Sequence, residues 1–181
     1  MKWRNSKEHY GLLSMWLHWG VLALLIAVYA CMELREFFPK GSVEREALKT
    51  LHYMLGLSVL ILVWPRLLLT LSGPTPGIVP APPNWQRVAA RWMKVALYAL
   101  MICMPLAGWL ILSAAGKPIP LFGLQLPALI DQGKDAANVL KEIHEAGATL
   151  GYFLIGLHAA AALFHHYVMR DNTLTRMWIK R

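Results

Sequence analysis

The sequence predicts an all-α integral membrane protein, a bundle of four transmembrane helices. Composition is the first observation, because the 181 residues are 57% hydrophobic and only 15% charged, with a mean hydropathy of +0.43. A water-soluble domain of this length needs a more polar surface. The second observation is that the apolar residues form four runs, each long enough for the roughly 20 residues of a membrane-spanning helix. The length suits a single domain, residues 1–181.

The four runs define the predicted helices, at about residues 12–32, 48–71, 88–115 and 143–169. The first run is too long for the apolar region of a cleaved signal peptide. Between the second and third runs, "GPTPGIVPAPPN" predicts a stiff, extended linker. Between the third and fourth runs, "KPIPLFGLQLPALI" is apolar but rich in proline, which favours an interfacial loop over a helix.

The distribution of lysine and arginine predicts the orientation in the membrane. With both termini on one side, that side carries eleven of the 18 Lys and Arg residues, while eight of the 10 acidic residues lie on the other. Because positive residues are enriched on the cytoplasmic side of a membrane, we expect both termini in the cytoplasm. The net charge of +8 then follows mainly from topology, so we expect membrane lipid around the protein and no nucleic-acid partner.

Six of the seven histidines fall inside the predicted spans, and four of the six form two groups of matching depth. His52 lies just inside the periplasmic end of the second span, and His144 lies at the periplasmic start of the fourth. His158 follows His144 on the same helix, about 21 Å deeper and within about 40° of the same face. His18 lies a turn or two inside the cytoplasmic end of the first span. The topology therefore predicts the pairs His52/His144 and His18/His158.

Small residues accompany these histidines along the helix faces. Gly56 lies one turn after His52, and Gly147 and Gly151 lie on the stripe of His144. We expect these glycines to leave room for a large, flat group beside the imidazoles.

Several chemistries could place histidines within a membrane. Any one of them could hydrogen-bond to a neighbouring helix. A proton relay would use carboxylates along its path, which the second, third and fourth spans lack at mid-depth. Zinc would need four ligands close together, which two separate levels cannot supply. Two haems, each held by two axial imidazoles, fit the number, depth and facing of the histidines.

Five stretches of the chain resemble the bacterial cytochrome b561 family of four-helix, two-haem membrane proteins. They are "WLHWG", "LHYMLG", "PTPGIVP", "IHEAGATLGYFLIGLHAAAALFHHY" and "DNTLTRM". The resemblance covers nearly the whole chain and is strongest to the branch of superoxide:ubiquinone oxidoreductases (superoxide oxidases). It implies a multi-pass protein of the bacterial inner membrane. It also implies two haem b groups, whose iron is bound by His18, His52, His144 and His158.

The resemblance also implies an activity. Electrons would pass from periplasmic superoxide to membrane ubiquinone, giving O2 and ubiquinol. One alternative is an electron-transfer cytochrome b subunit for a partner dehydrogenase or hydrogenase, although the short loops here offer no docking segment and we expect no obligate protein partner. A second alternative is a non-enzymatic haem-binding membrane protein, which would hold haem weakly.

Two lysines are candidates for steering superoxide, which is an anion. Lys49 and Lys141 each precede a periplasmic histidine by three residues, while Lys117 and Lys134 are expected in the covering loop. The alternative is that these lysines extend to the membrane surface or pair with haem propionates.

At the cytoplasmic end, His165 is the candidate quinone site. It lies two turns beyond His158 on the same face, and an imidazole can bind a quinone carbonyl and transfer protons near neutral pH. The alternative is a histidine pair at the headgroup level, with Arg170 nearby. We expect Arg66 to extend to the cytoplasmic boundary, with a quinone or propionate contact as its alternative.

Overall fold

Four long helices dominate the computed structural model, which describes residues 3–178. They are α1 (Leu12–Leu34), α2 (Val43–Ser72), α3 (Asn84–Ala114) and α4 (Lys134–Tyr167). Each is long and apolar enough to cross a membrane. The predicted all-α, four-helix membrane fold is thereby confirmed. Three of the cations counted for the orientation lie outside the described residues: Lys2, Lys180 and Arg181.

The helices extend beyond the apolar runs that predict them. α4 begins at Lys134 rather than near residue 143, and it ends at Tyr167 rather than 169. Its first turns are polar, so a search for apolar runs does not include them. The expectation that Lys134 lies in the covering loop is therefore wrong. α2 begins at Val43 rather than near residue 48, where the Ser42 side chain accepts a hydrogen bond from the Arg45 backbone N–H. A serine at this position stabilises the first turn of a helix.

The loop between α3 and α4 folds over one end of the bundle. It contains a small antiparallel hairpin that the sequence did not predict, in which β1 (Pro120–Leu121) pairs with β2 (Leu124–Gln125). The Trp109 indole N–H donates to the Pro127 carbonyl at 2.9 Å, which ties the loop to α3. Ile119 is buried against α2 and α3. The loop is therefore packed, without helix, as the prolines indicate.

The helices pack in chain order, and α4 is set apart from half of the bundle. α1 packs on α2, α2 on α3, and α3 on α4, whereas α4 makes only sparse close backbone approaches to α1 and α2. The central buried cluster joins α1, α2 and α3 through Val21, Val59, Val63 and Met101. Within α4 the only buried residue is Gly151. A gap therefore runs along α4 on the side of α1 and α2.

A tyrosine bridge crosses this gap near its middle. The Tyr29 hydroxyl on α1 donates to the Ala148 carbonyl on α4 at 3.0 Å. The Tyr29 ring also packs on Tyr152, with centroids 4.4 Å apart, and the Tyr152 hydroxyl donates to Glu33 at 2.7 Å. Since Ala148 and Tyr152 lie between His144 and His158 in the chain, the bridge lies between the levels of these two histidines.

The N-terminal segment, the α2–α3 linker and the C-terminal segment meet at one end of the bundle. The Gly77 N–H donates to the Lys7 carbonyl at 3.2 Å, and the Val79 N–H donates to the Asn172 side chain at 2.8 Å. The Trp19 indole N–H donates to the Met177 carbonyl at 2.9 Å. Both described chain ends therefore lie on the same side of the bundle.

Candidate cofactor-binding site

The four histidines that the sequence predicts to pair lie together as two pairs across the gap. The ring centroids of His52 on α2 and His144 on α4 are 6.2 Å apart, with the ring planes at 77°. The centroids of His18 on α1 and His158 on α4 are 6.4 Å apart, with the planes at 70°. Each pair joins α4 to a helix on which it does not pack closely.

These separations fit two imidazoles on opposite sides of one metal ion. A metal–imidazole nitrogen bond is about 2 Å long and the ring centre lies about 1 Å beyond the nitrogen, so trans imidazoles have centroids about 6 Å apart. No hydrogen bond joins the rings of either pair in residues 3–178, and no cluster of three or more His, Cys, Asp or Glu side chains there could hold a metal. Such a two-ligand centre needs a planar group for its remaining ligands, as haem provides.

In the His52/His144 pair, His52 makes a hydrogen bond that suits ligation. In the tautomer with a proton on Nδ1, His52 donates to the Val28 carbonyl at 3.0 Å, which leaves the lone pair of Nε2 free for a metal. The His144 ring lies against Gly108 of α3, where an added Cβ would be 3.5 Å from the ring. Its Nδ1 is buried and has no hydrogen-bond partner among the described residues.

The His18/His158 pair has an arginine next to it. Nδ1 of His18 accepts a hydrogen bond from the Arg66 guanidinium at 2.6 Å. The expectation that Arg66 extends to the membrane boundary is therefore wrong, because the side chain turns inward to the histidines.

The glycines next to the histidines fulfil the expected role only in part. Nothing lies within 4 Å of a Cβ added at Gly56, so the space beside His52 is open as expected. Gly147 and Gly151 were wrongly expected to leave space. The Met104 sulfur would lie 2.5 Å from a Cβ at Gly147, and the Tyr29 hydroxyl would collide with one at Gly151. Side chains from α3 and α1 fill these positions, which helix spacing alone does not reveal.

Both candidate steering lysines form ion pairs on their own helices. Lys49 Nζ lies 2.6 Å from Glu46 Oε1, and Lys141 Nζ lies 3.5 Å from Glu145 Oε1. The two carboxylates are largely exposed. The positive charge expected near His52 and His144 is therefore balanced locally.

The candidate quinone residue has a partner that sequence reasoning missed. His165 Nδ1 lies 2.5 Å from Asp171 Oδ2, and the Asp171 side chain is only 3% exposed. The Thr173 N–H donates to the other Asp171 oxygen at 2.8 Å. Burial raises the pKa of Asp171, but the hydrogen bonds from His165 and Thr173 outweigh it, so the pKa lies below its ordinary value. The side-chain partner of His165 is thus Asp171, which lies beyond the end of α4.

Comparisons with known proteins identify the family of this chain. The model of the prokaryotic cytochrome b561 family matches residues 9–180. Cytochrome b561 homolog 1 of Escherichia coli K12 is 40% identical over 168 residues, which cover 93% of this chain and 96% of the relative. A probable superoxide oxidase, CybB, of Yersinia pestis is 40% identical over 174 residues, covering 96% and 98%. Cytochrome b561 homolog 2 of E. coli K12 is 30% identical over 185 residues, covering 98% and 95%.

The family is defined by a cofactor and by a kind of reaction. Proteins of this family bind b-type haem and transfer electrons within bacterial membranes. The match extends over nearly all of the chain, including all four helices and all four paired histidines. This chain therefore belongs to the prokaryotic cytochrome b561 family of multi-pass membrane electron-transfer proteins.

Proposed function

We propose that the protein carries electrons from periplasmic superoxide to ubiquinone in the membrane through two b-type haems. The observation that carries the proposal is the geometry of the two histidine pairs, with centroid separations of 6.2 and 6.4 Å across the gap beside α4. In this proposal His52 and His144 hold the periplasmic haem, and His18 and His158 hold the cytoplasmic haem. Both termini then lie in the cytoplasm, in accord with the excess of positive residues on that side.

When bound, the haems supply the one-electron chemistry. The chain supplies the ligands and the spacing between them. His144 and His158 are about 21 Å apart along α4, so one rigid helix fixes the relative position of both centres. Tyr29 and Tyr152 lie between the two levels and hold α1 to α4.

Support for superoxide as the donor comes from the relative named a probable superoxide oxidase. Two superoxide anions would each lose one electron to become O2. Lys49 and Lys141 would act on the approach of the anion, although each is paired with a glutamate. Because exposed ion pairs are worth only about 0–1 kcal/mol, these pairs open readily and leave the ammonium groups partly available.

Ubiquinone would take up two electrons and two protons to become ubiquinol. The His165–Asp171 pair supports a proton-transfer role at the cytoplasmic end. Asp171 accepts the Nδ1 proton of His165, so Nε2 is the atom left to take up a second proton and then to donate it to a quinone carbonyl. The His165 side chain is 16% exposed, which leaves it accessible from one side.

Purified protein in lipid nanodiscs, oxidised and then given superoxide with and without ubiquinone, tests this proposal. We expect fast haem reduction in both cases, and reoxidation with ubiquinol formation only when ubiquinone is present. His165→Ala should retain haem reduction and lose most ubiquinol formation, whereas His9→Ala, which changes an exposed histidine, should behave as the wild type. Slow haem reduction without any quinone dependence would contradict the proposal and favour a subunit of a partner dehydrogenase or hydrogenase.

A further inference from the structure

Arg66 occupies a position on α2 that matches that of His158 on α4. It follows His52 by the same 14 residues that separate His144 from His158. Fourteen residues bring a helix within about 40° of whole turns, so Arg66 projects from the face of His52 at the level of the other histidine pair. Its guanidinium is 2.6 Å from His18 Nδ1.

The Arg66 charge is partly buried. No carboxylate within residues 3–178 forms an ion pair with it, and Asp171, the buried acid at this end, is bound to His165. The Tyr98 ring lies 5.9 Å from the guanidinium carbon. A charged side chain inside a membrane protein is costly unless an opposite charge or a polar cavity receives it. The surroundings of Arg66 therefore favour the binding of an anion.

The contact with His18 conflicts with metal ligation. If Nε2 of His18 binds iron, as the proposed function requires, the ring proton must be on Nδ1. Every guanidinium nitrogen of Arg66 is also a donor and cannot accept that proton. Two N–H groups cannot face each other at 2.6 Å. Ligation of iron by His18 and the contact with Arg66 therefore exclude each other.

We propose that Arg66 binds a carboxylate of the haem held by His18 and His158, and that it leaves His18 Nδ1 when this haem is in place. This inference rests on the proposed function. The two propionates of haem b are anions, and arginine pairs with a carboxylate through two parallel hydrogen bonds. The backbone of Arg66 is well fixed, because the hydroxyls of Thr70 and Tyr98 both donate to its carbonyl, at 2.9 and 3.3 Å. Only the side chain has to move.

Midpoint potentials of both haems in the purified protein provide the first test. Removal of a cation favours the oxidised, more positive haem. Arg66→Met should therefore lower the equilibrium constant for reduction of one haem about tenfold, which lowers its midpoint potential by about 59 mV. Arg66→Lys should restore most of this shift because it restores the charge. The matched control is Arg91→Met, which removes an exposed arginine of α3 at the same end and should change neither potential.

A structure of the haem-loaded wild type provides the second test and separates the two partners of Arg66. We expect the guanidinium about 3 Å from a haem carboxylate and away from His18 Nδ1. A guanidinium that stays on His18, or that faces lipid, would overturn the inference even if the potential shifts. Two haems in the wild type with unchanged potentials in Arg66→Met would defeat this inference alone. Absence of haem from the wild type would instead defeat the proposed function.

Discussion

Replacement of Asp171 by alanine should destabilise the end of the protein at which the chain termini meet. The side chain is 3% exposed and accepts hydrogen bonds from His165 at 2.5 Å and from the Thr173 N–H at 2.8 Å. Hydrogen bonds to a charged group contribute about 1.5–3 kcal/mol each, so the loss of both should cost at least about 3 kcal/mol. For a chain of this length that corresponds to about 6–12 °C in Tm. Asp171→Asn retains one acceptor oxygen and should lose about half as much.

The stabilisation that Asp171 provides should decrease at acidic pH. Because the pKa of Asp171 is lower in the folded protein than its ordinary value of 3.8, the ionised carboxylate stabilises the fold. This stabilisation is present above about pH 3.8 and is lost as the pH falls below that value, through the pKa of the folded state. The wild type should therefore lose more stability than Asp171→Ala over this acidic interval.

Thermal unfolding in detergent, followed by circular dichroism at several pH values, measures both effects. The matched control is Asp131→Ala, which removes an exposed carboxylate of the α3–α4 loop and should leave Tm within about 2 °C. If Asp171→Ala unfolded at the temperature of this control and showed the wild-type dependence on pH, the reasoning from the His165–Asp171 contact would be refuted.

Three further predictions concern other parts of the molecule. Gly151→Ala should destabilise the protein by about 1–3 kcal/mol in chemical unfolding, because the new methyl group collides with a tyrosine of α1, whereas Gly156→Ala, which has open space, should be neutral. Arg45→Met should cost about 2 kcal/mol in the same assay, because the guanidinium donates to two backbone carbonyls and one carboxylate; an unchanged midpoint would contradict this. Glu145→Gln should free Lys141 and raise the rate of haem reduction by superoxide, by less than tenfold at low ionic strength. High salt should abolish this increase. A rate that does not depend on salt would rule out steering by Lys141.

The sequence predicts the helices and the histidine pairs because both depend on simple regularities. Membrane thickness sets the length of each apolar run, and the rise of a helix fixes the depth of each residue. The spacing of His144 and His158 in the chain is therefore enough to place them on one face of α4. The early start of α4 at Lys134 was missed, since its polar turns lie beyond the apolar run.

Contacts between segments distant in the chain could not be predicted in the same way. Asp171 reaches His165 only because the chain turns back after α4, where Arg170 has a left-handed backbone with φ of 55°. The space beside Gly147 is filled by Met104 of α3, whose direction depends on how the two helices pack. By contrast, the pair Lys49–Glu46 lies at a spacing that favours contact on a helix, and the sequence alone would have justified it.

The ratio of haem to polypeptide, measured by the pyridine haemochrome method on the purified protein, tests the central claim most directly. The two imidazole pairs beside α4 predict two b-type haems for each chain. A ratio of one or zero on fully loaded material would contradict the account, since at least one histidine pair would then hold no iron.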